Sequence, residues 1–377
     1  MALSEGEKTS ARIGSIDTAR FLGITLVFFG HLVEQIMYLE NASAAAQYKW
    51  VYSFHMPLFF LLAGAVFSDR KVQEGFGRFL KVRWNTRVVP YLFFTFLLGA
   101  LAIVIPGWFP TIDLSSAAGF GEGTISTLMG MPAFNIPLWF LACLVALEIV
   151  HFFLARFWTT NTRLVVAAIG FYLLGYYLNL YVNFFEIGLI FWLVNLVPLG
   201  YAFYLTGILI KRTGIMAREF PRWQLAAVAL LCVAGIFLTY DLNQGPFRLG
   251  LEAVVLLAGA PGHVLLFPLT ALMGIVMVLS ISKLAPNWRW LHYLGQITIL
   301  IYCLHGLFYH FVNPPLAAWM VENLPASAGS VWFFTTLATI VSVGLTVPLA
   351  ILIKTHLPRL AGSPPAKKPM AAESATA

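Results

Sequence analysis

The chain has 377 residues, 60% of them hydrophobic and 10% charged, with a mean hydropathy of +0.82; such values exclude an ordinary soluble protein and indicate an integral membrane protein. The net charge of +7 would suit nucleic acid, but the basic residues fall in short segments between apolar runs, so the charge is topological. Cys143, Cys232 and Cys303 lie in apolar segments without metal-ligand spacing, which argues against a disulfide framework and redox chemistry.

Apolar runs of about 20 residues predict spanning helices near 18–37, 52–68, 90–106, 136–154, 163–181, 187–210, 224–240, 263–283, 293–312 and 331–353. This is an all-α, polytopic bundle of about ten transmembrane helices with both termini cytoplasmic. Under that topology twenty basic residues lie inside, and only Lys49 and Arg248 face out. The expected organisation is a cytoplasmic segment 1–17, a transmembrane domain 18–356, and a disordered Pro-, Ala- and Lys-rich cytoplasmic tail 357–377. The run at 249–260 is too short to span and reads as an outer-face or re-entrant piece.

In the first run, Arg20 and His31 are eleven residues apart. At about 100° per residue that is close to three turns, so both side chains leave one helix face, roughly 16 Å apart along the axis. Asp17 and Glu34 extend the stripe by one turn at each end, and the opposite face is Leu, Val and Phe. These groups also argue against a cleaved signal peptide ending at the Ala and Ser residues of 42–46. Ionisable groups at membrane depth face a protein interior or a wet cavity. Two readings stand: a structural ion-pair network, or a stripe lining a site in which His31 takes a proton from a hydroxyl while Glu34 orients and tunes it.

The segment RFLKVRWNTRVVPY places Arg78, Lys81, Arg83 and Arg87 just before the third helix. It reads as a positive-inside anchor on lipid phosphates, or as a docking site for a cytoplasmic polyanion, with Arg83 and Arg87 gripping phosphate from one helix face. Further along are His55 at the outer start of helix two, Glu148 within helix four, and His305 in the outer half of helix nine. His31, His55 and His305 fall at similar depth and could converge, although a packing role is the plainer reading of the last two. The sequon at Asn41 and Ser43 says little. Arg248 reads as an ion-pair partner of Asp241 or Glu252, or as a contact for an anionic acceptor. No metalloprotease, nucleophile-elbow or phosphate-loop motif occurs.

Five motifs in order, SIDTARFLGITLVFFGH at 15–31, FHMPLFFLLAGAVF at 54–67, RVVPY at 87–91, PLWFLACL at 137–144 and LGQITILIYCLH at 294–305, resemble the acyltransferase 3 family. The likeness is greatest to its fucose 4-O-acetylase-like and periplasmic glucan succinyltransferase-like branch. The resemblance implies transfer of an acyl group, usually acetyl, from cytoplasmic acyl-coenzyme A to a sugar hydroxyl at the outer side of the bacterial inner membrane, without a metal. It carries Arg20 and His31 over by type and spacing. Glu34 joins them as the orienting acid, Arg83, Arg87, Lys81 and Arg20 as donor contacts, and His55, Trp139 and His305 as acceptor contacts. The family's Ser-Gly in helix two is Ala63-Gly64 here. Expected partners are membrane lipid and a glycan or lipid-linked sugar, with envelope-assembly proteins or a second copy as further candidates. The outer loops 107–135 and 241–262 are expected to set acceptor choice. The competing readings are a transporter or flippase of an envelope precursor, with the stripe as substrate path, and a non-enzymatic assembly subunit tolerant of change at His31.

Overall fold

In lipid every backbone polar group must be satisfied within the chain, and the sequence meets this requirement with helices. The computed structural model describes residues 14–68, 70–184, 186–188 and 190–362. The N-terminal segment before 14 and the tail beyond 362 lie outside the described residues. The helices are α1 (Gly14–Met37), α2 (Ala42–Tyr52), α3 (His55–Ala65), α4 (Phe76–Ala102), α5 (Ala117–Leu128), α6 (Ile136–Phe157) and α7 (Asn161–Tyr181). They continue with α8 (Val194–Thr213), α9 (Arg222–Thr239), α10 (Leu266–Leu284), α11 (Arg289–Gln296), α12 (Thr298–Asn323) and α13 (Ala328–His356). Among the described residues, eight helices are long and apolar enough to cross a membrane, and nine if α11 and α12, bent by 64°, form one span.

Where a helix begins beside water, a side chain supplies the missing acceptor. Asn41 caps α2, Ser116 caps α5, Thr160 caps α7 and Ser327 caps α13, each accepting from the backbone N–H three residues on. Asn41, the sequon asparagine, is buried and spent on this bond.

The expected helix over 52–68 is not a full span. The chain breaks between α2 and α3, and α3 has 11 residues, about 16 Å at 1.5 Å per residue, roughly half of a hydrocarbon core. Nine of those residues are buried, so protein rather than lipid surrounds the exposed helix ends. Against α8 the backbones nearly touch: a Cβ on Gly64 would stand 2.0 Å from the Tyr204 carbonyl oxygen, and one on Gly207 2.0 Å from that of Leu61. Small residues permit this approach, which supplies packing where lipid provides no hydrophobic drive.

The helix α1 is the hub, touching α2, α3, α10, α11, α12 and α13. At the periphery, only 11% of α9 is buried, and Leu230, Leu231, Phe237 and Leu238 project outward into the apolar surroundings. The basic segment before the third span is itself helical, continuing α4 back to Phe76 through a π-helical turn at Trp84–Val88. A second π-helical turn, Phe308–Val312, interrupts α12.

The run at 249–260 is a loop with one isolated antiparallel bridge between Val255 and Ala260. Arg248 anchors it, donating to the carbonyl oxygens of Ala258 at 3.0 Å, of Val182 at 3.4 Å and of Asn179. The ion pair expected for Arg248 with Asp241 or Glu252 is not formed. Asp241 pairs with Lys49 at 2.7 Å instead, and the guanidinium satisfies carbonyls that would otherwise be orphaned beneath the loop.

Candidate active site

Helical geometry alone sets the first two contacts. Residues three apart on α1 share a face, and both ion pairs of the stripe form: Arg20 Nη1 lies 3.5 Å from Asp17 Oδ1, and His31 Nδ1 lies 2.6 Å from Glu34 Oε2. Around Glu34 the fold adds two hydroxyls. Tyr52 donates to Oε2 at 3.0 Å and Tyr38 to Oε1 at 3.0 Å. The Glu34 oxygens thus accept from three groups, which fixes the carboxylate and, through Nδ1, the orientation of the His31 ring. The other ring nitrogen, Nε2, is not engaged by Glu34.

His31 lines a cavity of about 400 Å³ together with Glu34, Tyr52, His55, Trp139 and Tyr309. The anchored loop contributes Leu249, Leu251 and Val254 through Leu257 to its wall, and the 103–111 loop contributes Trp108, Pro110 and Thr111. Both outer loops expected to set acceptor choice therefore reach this cavity. His55 is oriented by its own helix turn, with Nδ1 3.0 Å from the Val51 carbonyl oxygen. A carbonyl only accepts, so Nδ1 carries hydrogen and Nε2 is a second acceptor in the same cavity.

His305 converges on this site but stands behind it. Its ring is 5.0 Å from that of His31 and 4.4 Å from that of Phe28, it is fully buried, and it does not line the cavity. The acceptor contact expected of it is thus replaced by a contact to His31. Neither ring nitrogen of His305 has a hydrogen-bond partner among the described residues.

Towards the other end of α1, a second cavity of about 130 Å³ is lined by Arg20, Arg87, Ala63, Gln296 and Thr298. Val27, Met56 and Tyr302 line both cavities. Three side chains thus separate the space before Arg20 from the space before His31. Ala63 faces the smaller cavity.

The two-pronged grip expected of Arg83 and Arg87 does form, but it closes on the chain's own Glu148. Arg87 Nε donates to Glu148 Oε2 at 2.7 Å and Nη2 to Oε1 at 2.8 Å, while Arg83 Nε stands 2.7 Å from Oε2. Arg83 is 2% exposed, with its guanidinium over the rings of Phe79 and Phe67. It is therefore not a surface contact for phosphate. Burying a cation between apolar rings costs too much without a counter-charge, and Glu148 of α6 supplies one. Two guanidiniums facing one carboxylate leave a net charge of +1 beside the smaller cavity. Lys81 is exposed on the surface.

Tyr38, Tyr52, Tyr309 and Trp108 are site residues that the sequence reading missed. Only Tyr38 had a usable signal, four residues after Glu34 on the same helix face. Among the described residues, no group of three or more His, Cys, Asp or Glu side chains is placed to hold a metal ion.

A family model described as an acyltransferase domain, of the acyltransferase 3 type, matches residues 13–354. Among curated proteins the chain is similar to the nodulation protein NolL of Mesorhizobium japonicum, 31% identical over 102 residues. That stretch covers 26% of this chain and 27% of NolL, so the chain spans about a quarter of that relative's length. No solved structure matches.

Proposed function

The chain belongs to the acyltransferase 3 family and is a multi-pass membrane acyltransferase; from that premise we propose that it moves an acyl group, acetyl in the simplest case, from cytoplasmic acyl-coenzyme A to a sugar hydroxyl. The acceptor is a surface or periplasmic glycan, or its lipid-linked precursor, met at the outer side of the inner membrane.

The observation that carries this reading is the pair of adjoining cavities along one face of α1, with Arg20 and Arg87 in one and His31 in the other. The smaller cavity is too narrow for a nucleotide and suits the slender thioester arm of the donor. Arg20 and Arg87 would meet the donor there, and Lys81 its phosphates at the surface. Arg83 acts through Glu148, by holding the carboxylate that orients Arg87. In the larger cavity His31 Nε2 takes the proton of the acceptor hydroxyl, whose oxygen attacks the thioester carbonyl carbon. The tetrahedral intermediate then collapses with cleavage of the C–S bond, and His31 returns the proton to the departing thiolate. His55 Nε2 and Trp139 would bind the acceptor.

Deleting the gene and comparing surface glycans with a complemented control by proton NMR tests the reading. One O-acyl ester signal is expected to vanish and return on complementation, and identical spectra would reject it. The role of Glu34 is tested by Glu34→Gln. An amide can donate to His31 Nδ1 and so hold the proton on Nε2, where it blocks base action, so transfer of radiolabelled acetyl in membranes is expected to fall by about 10²–10⁴-fold. Wild-type transfer at an equal protein level would remove Glu34 from the mechanism.

A further inference from the structure

Trp108 sits in a loop that is otherwise turned to the outside. Ile103 through Gly107 are exposed, yet Trp108 is half-buried and lines the His31 cavity. Its ring is 5.7 Å from that of Tyr38 and 5.5 Å from that of Tyr309, which in turn meets His31 edge-on at 4.8 Å. Trp108 is therefore at the mouth of the cavity, one ring removed from the base.

What holds it there is His310, in the π-helical turn of α12. Trp108 N donates to the His310 carbonyl at 2.8 Å, and His310 Nδ1 meets the Trp108 carbonyl at 2.7 Å. The backbone N–H of Ile136 donates to His310 Nε2 at 3.3 Å, and Phe109 stacks on the imidazole at 4.4 Å and 12°. The partners fix the tautomer: a carbonyl only accepts, so Nδ1 carries hydrogen, and an amide N–H only donates, so Nε2 carries the lone pair. Both nitrogens are thereby committed to structure. His310 ties the 103–111 loop to the start of α6 and to α12, and leaves itself no proton to transfer.

An aromatic at a membrane interface is commonly a lipid anchor, but an anchor faces lipid, and this ring faces the cavity. A large flat ring at the mouth of a 400 Å³ cavity, of the size small-ligand sites have, offers the negative face of its π-system to polarised C–H groups. The C–H face of a pyranose presents such groups while its rim carries hydroxyls, one of which would point inward to His31. We propose that Trp108 is the platform for the acceptor sugar ring and that His310 is the positioning residue that keeps it over the site. The identity of the ligand rests on the acyl-transfer reading.

The test uses full-length protein in lipid nanodiscs, labelled with 5-fluorotryptophan, with the Trp108 resonance assigned by its loss in Trp108→Phe. It is titrated with the methyl glycosides of glucose, galactose, mannose and fucose. A saturable shift of that resonance with at least one glycoside is expected. His310→Phe keeps the stack on Phe109 but loses both ring hydrogen bonds, and should weaken the binding roughly tenfold, the factor that about 1.4 kcal/mol supplies. His310→Asn, whose amide N–H stands where Nδ1–H does, should restore most of it. No shift with any glycoside would overturn the platform, and equal affinity in His310→Phe would overturn the positioning role. Sugar binding at Trp108 without any acetyl transfer would reject the acyl-transfer reading and leave the platform standing, so the two failures are distinct.

Discussion

Replacement of His31 by Gln is expected to abolish O-acylation of the target glycan while leaving the protein folded and in the membrane. The side chain lines a cavity and is 13% exposed, so its loss leaves no packed void of the kind that unfolds cores. Gln can still reach Glu34 and Tyr52, but it has no lone-pair nitrogen to accept a proton at neutral pH. Removing a general base costs about 10²–10⁴-fold in rate, which would take ester signals in the glycan NMR spectrum below detection. Matched protein level and an unchanged thermal transition in detergent would locate the loss in chemistry. Wild-type ester content in His31→Gln would instead favour the assembly-subunit reading, and normal glycan transport lost together with acylation would favour the transporter.

The second large effect falls on stability. Glu148→Gln is expected to destabilise the helix bundle by about 3–5 kcal/mol, the usual consequence of stripping the counter-charge from a buried pair. Set against the total of about 5–15 kcal/mol that folded proteins possess, this should collapse the yield of monodisperse protein in fluorescence-detected size exclusion. The cause can be isolated. Adding Arg83→Met leaves Arg87 as a single cation, restoring the net +1 of the wild-type cluster, and should recover part of the lost yield. Acyl transfer should stay low in the double variant, because Arg87 would no longer be held by its bidentate partner at the wall of the smaller cavity. A Glu148→Gln protein as stable as wild type would show that the cluster is solvated and that its ion pairs contribute little.

The course of α1 was legible because its information is local. Asp17 with Arg20 and His31 with Glu34 are three residues apart, and one helical turn is enough to make each pair meet. Most spans were legible for an equally simple reason, since a hydrocarbon core of fixed thickness demands an apolar run of matching length. The exceptions are instructive. The residues of α3 are apolar on every side, so they read as a lipid span, yet neighbouring helices surround them and 11 residues suffice. Likewise the run 293–312 reads as one straight helix, but the chain turns by 64° at Ile297, between α11 and α12, just after Gly295, where a Cβ would lie 2.0 Å from the backbone oxygen of Asp17.

By itself, then, the sequence determined a helical membrane protein, the polar face of its first helix, and the acid that orients His31, because helix periodicity and bilayer thickness act on neighbouring residues without reference to the rest of the chain. Only the tertiary structure decided which anion Arg83 and Arg87 would hold, which carbonyls Arg248 would satisfy, and which rings would gather round His31. Glu148 is 61 residues from Arg87, and His310 is 202 residues from Trp108. Periodicity gives a side chain its direction about its own helix axis, whereas its partner depends on how all the helices pack against one another.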